Sequence, residues 1–246
     1  MTGHFETVDG VMVPAVTSVQ MSEIDRIAVE ETGPHLVQMM ENAGRSLAIS
    51  ALRTPRLLEA GGPIVVMAGT GGNGGGGICA ARHLANRGLE VRLVVTDDSR
   101  LGEIPALQLD IFRSTPGRLI GESDLDRDVP ALIVDALVGY SLKGDLRGIS
   151  RDLAVWANNA DAPIISLDVP SGVEATTGEA PAAHIQASQT VTLALPKTGL
   201  DGEAVGDLYL ADLGIPAEAY RRAGISVPTD VFAGSFMVSV RPRSVD

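Results

Sequence analysis

The chain has few aromatic residues and only one cysteine, and both shortages restrict the kinds of protein that it can be. Phe, Trp and Tyr make up 3% of its 246 residues, so aliphatic side chains must form the core, and a hydrophobic fraction of 45% supplies enough of them. Cys79 has no second cysteine to pair with, which excludes an internal disulfide. No run approaches the ~18 to 20 apolar residues of a membrane span, and the start, MTGHFETVDG, lacks the apolar core of a secretory signal.

Basic residues are also scarce. The chain has 19 Lys and Arg residues against 31 Asp and Glu residues, a formal net charge of −12. A nucleic-acid surface or an anionic membrane would favour a basic patch, so we expect neither as a partner. The four histidines also lack the spacing of a zinc site. We expect a soluble cytoplasmic protein with one domain over residues 1–246, beginning with a loose leader at about residues 1–13.

The most informative segment is 63–77, PIVVMAGTGGNGGGG. Residues 64–67 lack polar alternation, which is typical of a strand buried on both faces of a parallel sheet. The following segment ICAARHLANRG predicts a helix. A strand, a glycine loop and a helix would place free backbone N–H groups and the positive end of a helix at one point, which favours an anion such as a phosphate. Close packing of the helix on the sheet is the alternative reason for the glycines.

Part of the glycine segment fits a dinucleotide-binding pattern. Gly69, Gly71 and Gly74 match G-x-G-x-x-G, and Asp97 and Asp98 end the next apolar run, EVRLVV, where such folds keep a ribose-binding acid. An NAD-dependent dehydrogenase is therefore one candidate function. No proton-relay His or Tyr-x-x-x-Lys set accompanies the pattern, which counts against it.

Two helices are predicted before the glycine segment. In the first, VTSVQMSEIDRIAVEETG, Thr17 or Ser18 can serve as the N-cap. The second covers HLVQMMENAGRSLAISALR, in which the methionines are expected to fill the core. Glu41 and Asn42 need polar partners if they are buried, so they either reach a ligand cleft or satisfy a loop.

Three later strands each end in polar residues. Asp135 lies near the end of ALIVDALVG, Asp168 and Ser171 lie near the end of APIISLDVPSG, and Lys197 follows the strand predicted in SQTVTLALPKTGL. Because the carboxyl ends of parallel strands lie along one edge of a sheet, Asn73, Asp135, Asp168 and Ser171 are expected to face one crevice. For Lys197 we expect a partner acid or a place over the sheet edge. The alternation of strands and helices predicts a doubly wound α/β sheet, with a last strand in FMVSV.

These motifs, in their order, resemble those of a known family. The segments MSEIDRIAVEETG with MMENAG, GTGGNGGGG with AARHL, VDALVGYSLKGDLRG, LDVPSGVEATTGE and LALPKTGL are similar to the motif series of the NAD(P)H-hydrate epimerases of the YjeF N-terminal type, which include the apolipoprotein A-I-binding proteins. The resemblance spans residues 16–216. The ordered series is more specific than any single motif.

The resemblance implies a Rossmann-like three-layer α/β/α sandwich with a mostly parallel central sheet. It implies an isomerase that interconverts the R and S epimers at C6 of hydrated NADH and NADPH, with potassium as cofactor. The implied potassium ligands are Asn73, Asp135 and Ser171, and Asp168 is the implied substrate carboxylate, which we expect to carry the proton chemistry as the catalytic residue. The implied substrate contacts are two loops and this carboxylate: Gly72, Asn73, Gly74, Gly75, Gly76, Gly139, Tyr140, Ser141, Leu142, Lys143, Gly144, Asp145 and Asp168.

Two positions depart from the family pattern. Gly72 stands where the family has its first Asn, and Gly76 stands where it has Asp. The backbone N–H groups remain, but side-chain hydrogen bonds of ~1 to 3 kcal/mol each are removed. A diverged, non-catalytic nucleotide-binding or scaffold member of the same fold is therefore the alternative to the epimerase. The sequence leaves open whether the protein forms a homodimer.

Overall fold

A computed structural model describes residues 4–56, 61–127, 129–180 and 182–243. Ten strands in these residues form one sheet: β1 His4–Thr7, β2 Met12–Pro14, β3 Ile64–Ala68, β4 Val91–Val95, β5 Arg118–Leu119, β6 Leu132–Ala136, β7 Ile164–Leu167, β8 Gln189–Leu193, β9 Asp207–Ala211 and β10 Met237–Pro242. The α-helices of the same residues are α1 Ser18–Ile27, α2 Leu36–Leu52, α3 Gly72–Ala85, α4 Glu103–Phe112, α5 Gly148–Asn159 and α6 Ala217–Arg222. A π-helical turn, Ala28–Thr32, continues α1, and short 3₁₀ helices cover Asp98–Arg100, Glu122–Arg127 and Glu203–Val205. None of the described helices is both long and apolar enough to span a bilayer.

The strand order is β2-β1-β10-β9-β8-β7-β6-β3-β4-β5. Strands β3 to β9 pair in parallel, whereas β10, β1 and β2 extend the sheet antiparallel beyond β9. The chain runs from β3 outward to β5 and then returns to β6 on the other side of β3. The order therefore reverses between β3 and β6, and the carboxyl ends of strands at such a reversal border the usual ligand crevice.

Helices cover both faces of the sheet, which confirms the predicted three-layer α/β/α sandwich. Successive side chains of β3 point to opposite faces. Val66 and Ala68 pack in the apolar core under α2, α3 and α4, whereas Val65 and Met67 pack in the core under α5. All five β3 residues are buried, as expected from an apolar run without polar alternation.

The predicted loose leader is wrong for the part of it that the structure describes. Residues His4–Thr7 and Met12–Pro14 form strands, and β1 pairs with β10 at the other end of the chain, with Phe5 opposite Pro242. Phe5 is buried, so apolar packing holds these strands in place. The sequence signal was weak because these strands are short and their partner is distant in the chain. The strand predicted in FMVSV is confirmed as β10.

The first helix begins at the predicted cap. The Thr17 side chain accepts a hydrogen bond from the Gln20 backbone N–H, and the Gln20 side chain accepts one from the Thr17 N–H. This reciprocal capping box satisfies two free N–H groups of the first turn. It fixes where α1 starts and hence which of its side chains face the interior.

The glycine loop predicted to follow β3 is wrong from Gly72 onward. Helix α3 starts at Gly72, so the run Gly72–Gly77 forms its first turns. A Cβ atom on Gly75 would lie 2.5 Å from Met40 Sδ, and one on Gly77 would lie 2.4 Å from Ala136 Cβ. These glycines therefore let α3 approach α2 and the sheet more closely than any other residue would. The close-packing alternative accounts for most of the run.

This packing role can be tested with a matched pair of substitutions in α3. Gly77→Ala should destabilise the protein by about 1–3 kcal/mol because its methyl group has no room beside Ala136. Gly72→Ala should be neutral or stabilise slightly, since nothing lies within 4 Å of its Cβ position and alanine favours a helix. Urea unfolding of both variants measures the difference. Equal stability of the two variants would show that close packing does not explain the glycines.

Candidate active site

A cavity of about 230 Å³ lies at the carboxyl ends of the central strands. Its polar wall comes from α1, the start of α3 and the strand-end loops: Asp25, Gly72, Asn73, Gly139, Tyr140, Ser141, Asp168 and Lys197. Apolar side chains, mainly from α1, α2 and the strand ends, form the rest: Met21, Val29, Leu36, Met39, Met40, Ala43, Leu167, Leu193 and Leu213. A mostly apolar cavity with a few convergent polar groups is the usual form of a small-molecule site.

An ion pair forms the floor of this cavity. Lys197 Nζ lies 2.5 Å from Asp168 Oδ1, and both side chains are almost fully buried. The other carboxylate oxygen, Oδ2, accepts a hydrogen bond of 2.8 Å from the Tyr140 backbone N–H. Lys197 also donates to the Leu193 carbonyl oxygen at 2.9 Å. The expected partner acid of Lys197 is thus Asp168, and the pair links the ends of β7 and β8 to the loop after β6.

The backbone of Asp168 adopts an uncommon conformation. Its φ angle is +69°, in the left-handed region that non-glycine residues rarely occupy. Ala194, which follows the neighbouring strand β8, has φ +63°. Such conformations cost free energy and cluster at functional sites, where the surrounding contacts fix them. At Asp168 the ion pair and the Tyr140 N–H supply those contacts, so the carboxylate is held in one orientation.

Gly139 allows the loop after β6 to approach this carboxylate. A Cβ atom at Gly139 would lie 2.6 Å from Asp168 Oδ2 and 3.2 Å from Asn73 Oδ1. No side chain could be accommodated there without moving one of these groups. The loop, the start of α3 and the end of β7 therefore meet at this glycine.

Asp135 is the centre of a second, fully buried network. Its Oδ1 accepts hydrogen bonds from Ser171 Oγ at 2.6 Å and Leu137 N at 3.2 Å, and its Oδ2 accepts from Ser166 Oγ at 2.8 Å and Ser171 N at 2.9 Å. Burial raises the pKa of Asp135, against the opposing effect of these hydrogen bonds, those from Ser171 first. Ser171 Oγ also accepts a hydrogen bond from Val138 N at 2.9 Å. The network fixes the loop that carries Gly139.

The side chain of Asn73 is incompletely satisfied. Its Nδ2 atom is buried and has no hydrogen-bond partner among the described residues. Leaving a buried amide group unpaired costs about 1–3 kcal/mol, so such a group in a cavity wall calls for an explanation. A bound ligand or ion is one.

A second carboxylate, Asp25 of α1, also lines the cavity. Its Oδ2 accepts a hydrogen bond of 2.6 Å from the Tyr140 hydroxyl. Lys197 Nζ lies 5.6 Å from the centre of the Tyr140 ring, within range of a cation–π contact. The sequence pattern alone did not point to Asp25. In a helix with several acidic residues, it does not show which of them faces a cavity and which face solvent.

The structure brings together four of the predicted polar residues. Asp168 and Asn73 line the cavity, and Asp135 and Ser171 lie behind the loop that contacts both. Of the predicted substrate loops, Gly72, Asn73 and residues 139–141 line the cavity. Gly74, Gly75 and Gly76 are buried within α3, and the wall does not include Leu142, Lys143, Gly144 or Asp145.

The space for a side chain at Gly76 is filled. A Cβ atom at this position would lie 2.7 Å from Cδ2 of Leu167, a buried side chain that lines the cavity. At Gly72, by contrast, nothing lies within 4 Å. The two departures from the family pattern therefore differ physically. The space beside Gly72 is open, whereas the Leu167 side chain fills the space beside Gly76.

Glu41 and Asn42 form contacts within the fold and do not line the cavity. Glu41 pairs with two side chains of α3, at 2.5 Å to Arg82 Nη2 and 2.8 Å to His83 Nε2. Burial alone would raise the pKa of Glu41, but the hydrogen bonds from Arg82 and His83 outweigh it and hold the pKa below its usual value. Asn42 Nδ2 donates to the Leu213 carbonyl oxygen at 3.0 Å, which is the loop contact that was one of the two alternatives.

The cysteine belongs to the same cluster. Ligand atoms of Glu41, Cys79 and His83 lie within 4.8 Å of one another, although no spacing of histidines in the sequence indicates a metal site. Arg82 Nη2 lies among them, 3.3 Å from Cys79 Sγ. Burial raises the pKa of the Cys79 thiol to about 12, so this buried side chain stays protonated.

The alternative ribose-binding acids lie away from the cavity. Asp97 accepts hydrogen bonds from Ser99 N at 3.1 Å and Ser99 Oγ at 2.6 Å, which cap a short 3₁₀ helix. Asp98 faces Arg113 at 3.4 Å. Neither residue is part of the cavity wall, so the site does not support the dehydrogenase alternative.

Comparison with known proteins identifies the family. A protein of Dehalogenimonas lykanthroporepellens named NAD(P)H-hydrate epimerase is 45% identical over 238 residues, which cover 97% of either chain. The bifunctional NAD(P)H-hydrate repair enzyme Nnr of Moorella thermoacetica is 38% identical, but the match covers 82% of this chain and 40% of that longer protein. The crystal structure of the yeast protein YNL200c superposes with a TM-score of 0.78 at 25% identity, covering 92% of this chain and 99% of that one. Residues 36–199 match the family model described as YjeF-related protein N-terminus, and the chain therefore belongs to that family.

Proposed function

We propose that this protein is an NAD(P)H-hydrate epimerase, an isomerase that interconverts the R and S epimers at C6 of hydrated NADH and NADPH. The main support for this proposal is the similarity to the epimerase of Dehalogenimonas over 97% of either chain. The apolar cavity with a fixed carboxylate supports the same conclusion. Because its volume of about 230 Å³ is below the ~300–1,000 Å³ of a site that holds a whole drug-sized ligand, it suits one ring system of the nucleotide.

Epimerisation at C6 can proceed by loss and return of the hydroxyl group or by opening and closure of the ring, and we propose the first route. The C6 carbon bears both a ring nitrogen and this hydroxyl, so loss of the hydroxyl leaves a cationic iminium ring to which water adds from either face. Asp168 is suited to stabilise this positive charge and to accept the proton of the incoming water. The methionines and leucines of the cavity wall would hold the ring and limit the access of other water molecules.

We also propose that Asn73, Asp135 and Ser171 hold a potassium ion. The unpaired buried amide of Asn73 supports this, since rotating the amide would place its oxygen where a cation gives it a partner. The three side chains offer oxygen ligands with one negative charge in total, which suits a monovalent ion better than magnesium. A bound potassium ion would supply positive charge beside the start of α3, where it favours an anionic part of the substrate.

The proposed activity is tested directly on the two hydrate epimers. Starting from either pure epimer, the protein should produce the equilibrium mixture, followed by chromatography, much faster than a protein-free control. Asp168→Asn should lower the rate by ~10² to 10⁴-fold through loss of the proton acceptor. It also leaves Lys197 without its buried acid, at a cost of about 3–5 kcal/mol, so hydrate binding must be measured to confirm a folded variant.

Two results would contradict this assignment. If the parent protein binds the hydrate and leaves the epimer ratio unchanged, the protein is a non-catalytic member of the family. If Asp168→Asn epimerises at the parent rate, the proton chemistry lies elsewhere.

The proposed potassium site predicts that potassium ions stabilise the folded protein. Thermal and urea unfolding should show higher stability in potassium chloride than in choline chloride at equal ionic strength, by ~2.7 kcal/mol at a hundredfold excess over the dissociation constant. Asn73→Ala should abolish the difference because it removes one ligand. Asn86→Ala, at the exposed C-terminal end of the same helix, is the matched control and should retain it. A stabilisation that survives Asn73→Ala, or that requires magnesium instead, would refute the site.

A further inference from the structure

The cavity contains two carboxyl groups that a single residue holds apart. Tyr140 donates its backbone N–H to Asp168 Oδ2 at 2.8 Å and its hydroxyl to Asp25 Oδ2 at 2.6 Å. The two carboxyl groups therefore lie at opposite ends of one tyrosine, separated by about the length of its side chain. Both line the cavity, so a flat ring bound in it can meet both groups.

The two groups are held very differently. Asp168 forms a buried ion pair with Lys197, with 2.5 Å between Oδ1 and Nζ, so a cationic group lies directly against its carboxylate. Asp25 forms no ion pair among the described residues, and its hydrogen bond comes from a neutral phenol. Burial raises the pKa of Asp25, and the nearby Asp168 charge adds to this, against the lowering effects of the Tyr140 hydrogen bond and the Lys197 charge. Two carboxyl groups in one site with opposed environments are typical of an acid and base pair.

The proposed reaction needs both members of such a pair. A hydroxyl group leaves C6 more easily as water than as hydroxide, so it requires a proton donor. The water that returns must lose a proton, so it requires an acceptor. Asp168, whose carboxylate lies against the Lys197 ammonium group, is assigned the second task, so the first task needs another group.

We propose that Asp25 is a second catalytic residue and that it supplies the proton to the departing C6 hydroxyl. This inference rests on the proposed epimerase function and assigns a role to a residue that lies within the motif segment MSEIDRIAVEETG but has no role in the predicted site. Asp25 faces the cavity with a carboxyl group whose Oδ1 accepts no hydrogen bond among the described residues and is therefore free to meet the substrate.

In one direction, the reaction uses Asp25 as the proton donor and Asp168 as the proton acceptor. The protonated Asp25 carboxyl transfers its proton to the C6 hydroxyl oxygen, the C6–O bond breaks, and water leaves while the lone pair of the ring nitrogen forms the N=C6 bond. A water molecule then adds to the opposite face of C6, and Asp168 takes its proton. Asp25 ends as an anion and Asp168 as an acid, so the reverse reaction uses the same groups with exchanged roles. Proton exchange with solvent restores the starting state, and no oxidant or reductant is needed.

A pH dependence follows from this assignment. Asp25 must be protonated to act, so the epimerisation rate should fall as pH rises through its pKa. The charged and titratable groups that face Asp25 are Tyr140 from the loop after β6, Lys197 and Asp168 at the cavity floor, and Tyr220 of α6. Removing the Tyr140 hydroxyl should raise the pKa of Asp25, because its hydrogen bond stabilises the charged form. Tyr140→Phe should therefore move this limb of the profile to higher pH.

The test compares two acids of the same helix. Asp25→Asn should lower the epimerisation rate by ~10² to 10⁴-fold, the usual effect of removing a general acid, while hydrate binding is retained. Glu23→Gln is the matched control, because Glu23 is exposed and pairs with the exposed Arg26, and the rate of this variant should stay within about twofold of the parent rate. In water labelled with ¹⁸O, each turnover of the parent protein should place one labelled oxygen on C6.

Several outcomes would overturn the assignment of Asp25. These are a parent rate in Asp25→Asn, an unchanged alkaline limb in Tyr140→Phe, and epimerisation without ¹⁸O incorporation. The last two measurements decide the matter even if Asp25→Asn fails to fold. A parent protein that binds the hydrate but epimerises neither form would instead overturn the proposed function itself, and the role of Asp25 with it.

Discussion

The buried ion pair between Lys197 and Asp168 is the interaction on which the site depends. Taking two charges out of water costs several kcal/mol for each ion, and only their mutual attraction and good hydrogen bonds offset this. Here Lys197 also donates to the Leu193 carbonyl oxygen, and Asp168 accepts the N–H of Tyr140. The charges are thus satisfied only while the ends of β7 and β8 and the loop after β6 stay together. The cavity floor is fixed before any ligand binds, which is the condition for electrostatic stabilisation in a reaction.

Glycine residues, which have no side chain, shape the cavity as much as the side chains that line it. Helix α3 packs into α2 and the sheet through glycines, and Gly139 brings a loop against Asp168 and Asn73. This close approach leaves little room for polar side chains on α3, so the polar groups of the cavity come mainly from strand ends and α1. Leu167 occupies the space beside Gly76 and makes that part of the wall apolar. A site built in this way depends on a few carboxyl groups with sharply different surroundings.

The sequence predicted the strand ends well and missed the contacts that join distant segments. Apolar runs closed by Asp135 and Asp168 indicated both the parallel sheet and its ligand edge, because strand polarity alone places such residues together. The helical state of Gly72–Gly77 was not predictable from propensity, since glycine disfavours helices and only tertiary packing favours one here. The pairing of β1 with β10 and the contact of Asp25 with Tyr140 join residues more than a hundred positions apart. No local pattern carries such information.

The position of a bound substrate is the most direct measure of this account. A crystal structure of the protein with the hydrate of NADPH should show the hydrated nicotinamide ring in the cavity between α2 and the ends of β6 and β7. Its C6 hydroxyl should lie within hydrogen-bond distance of Asp168 or Asp25, and a phosphate should lie near the start of α3. A nucleotide bound instead beside Asp97 and Asp98, with the cavity free of the ring, would contradict the central claim.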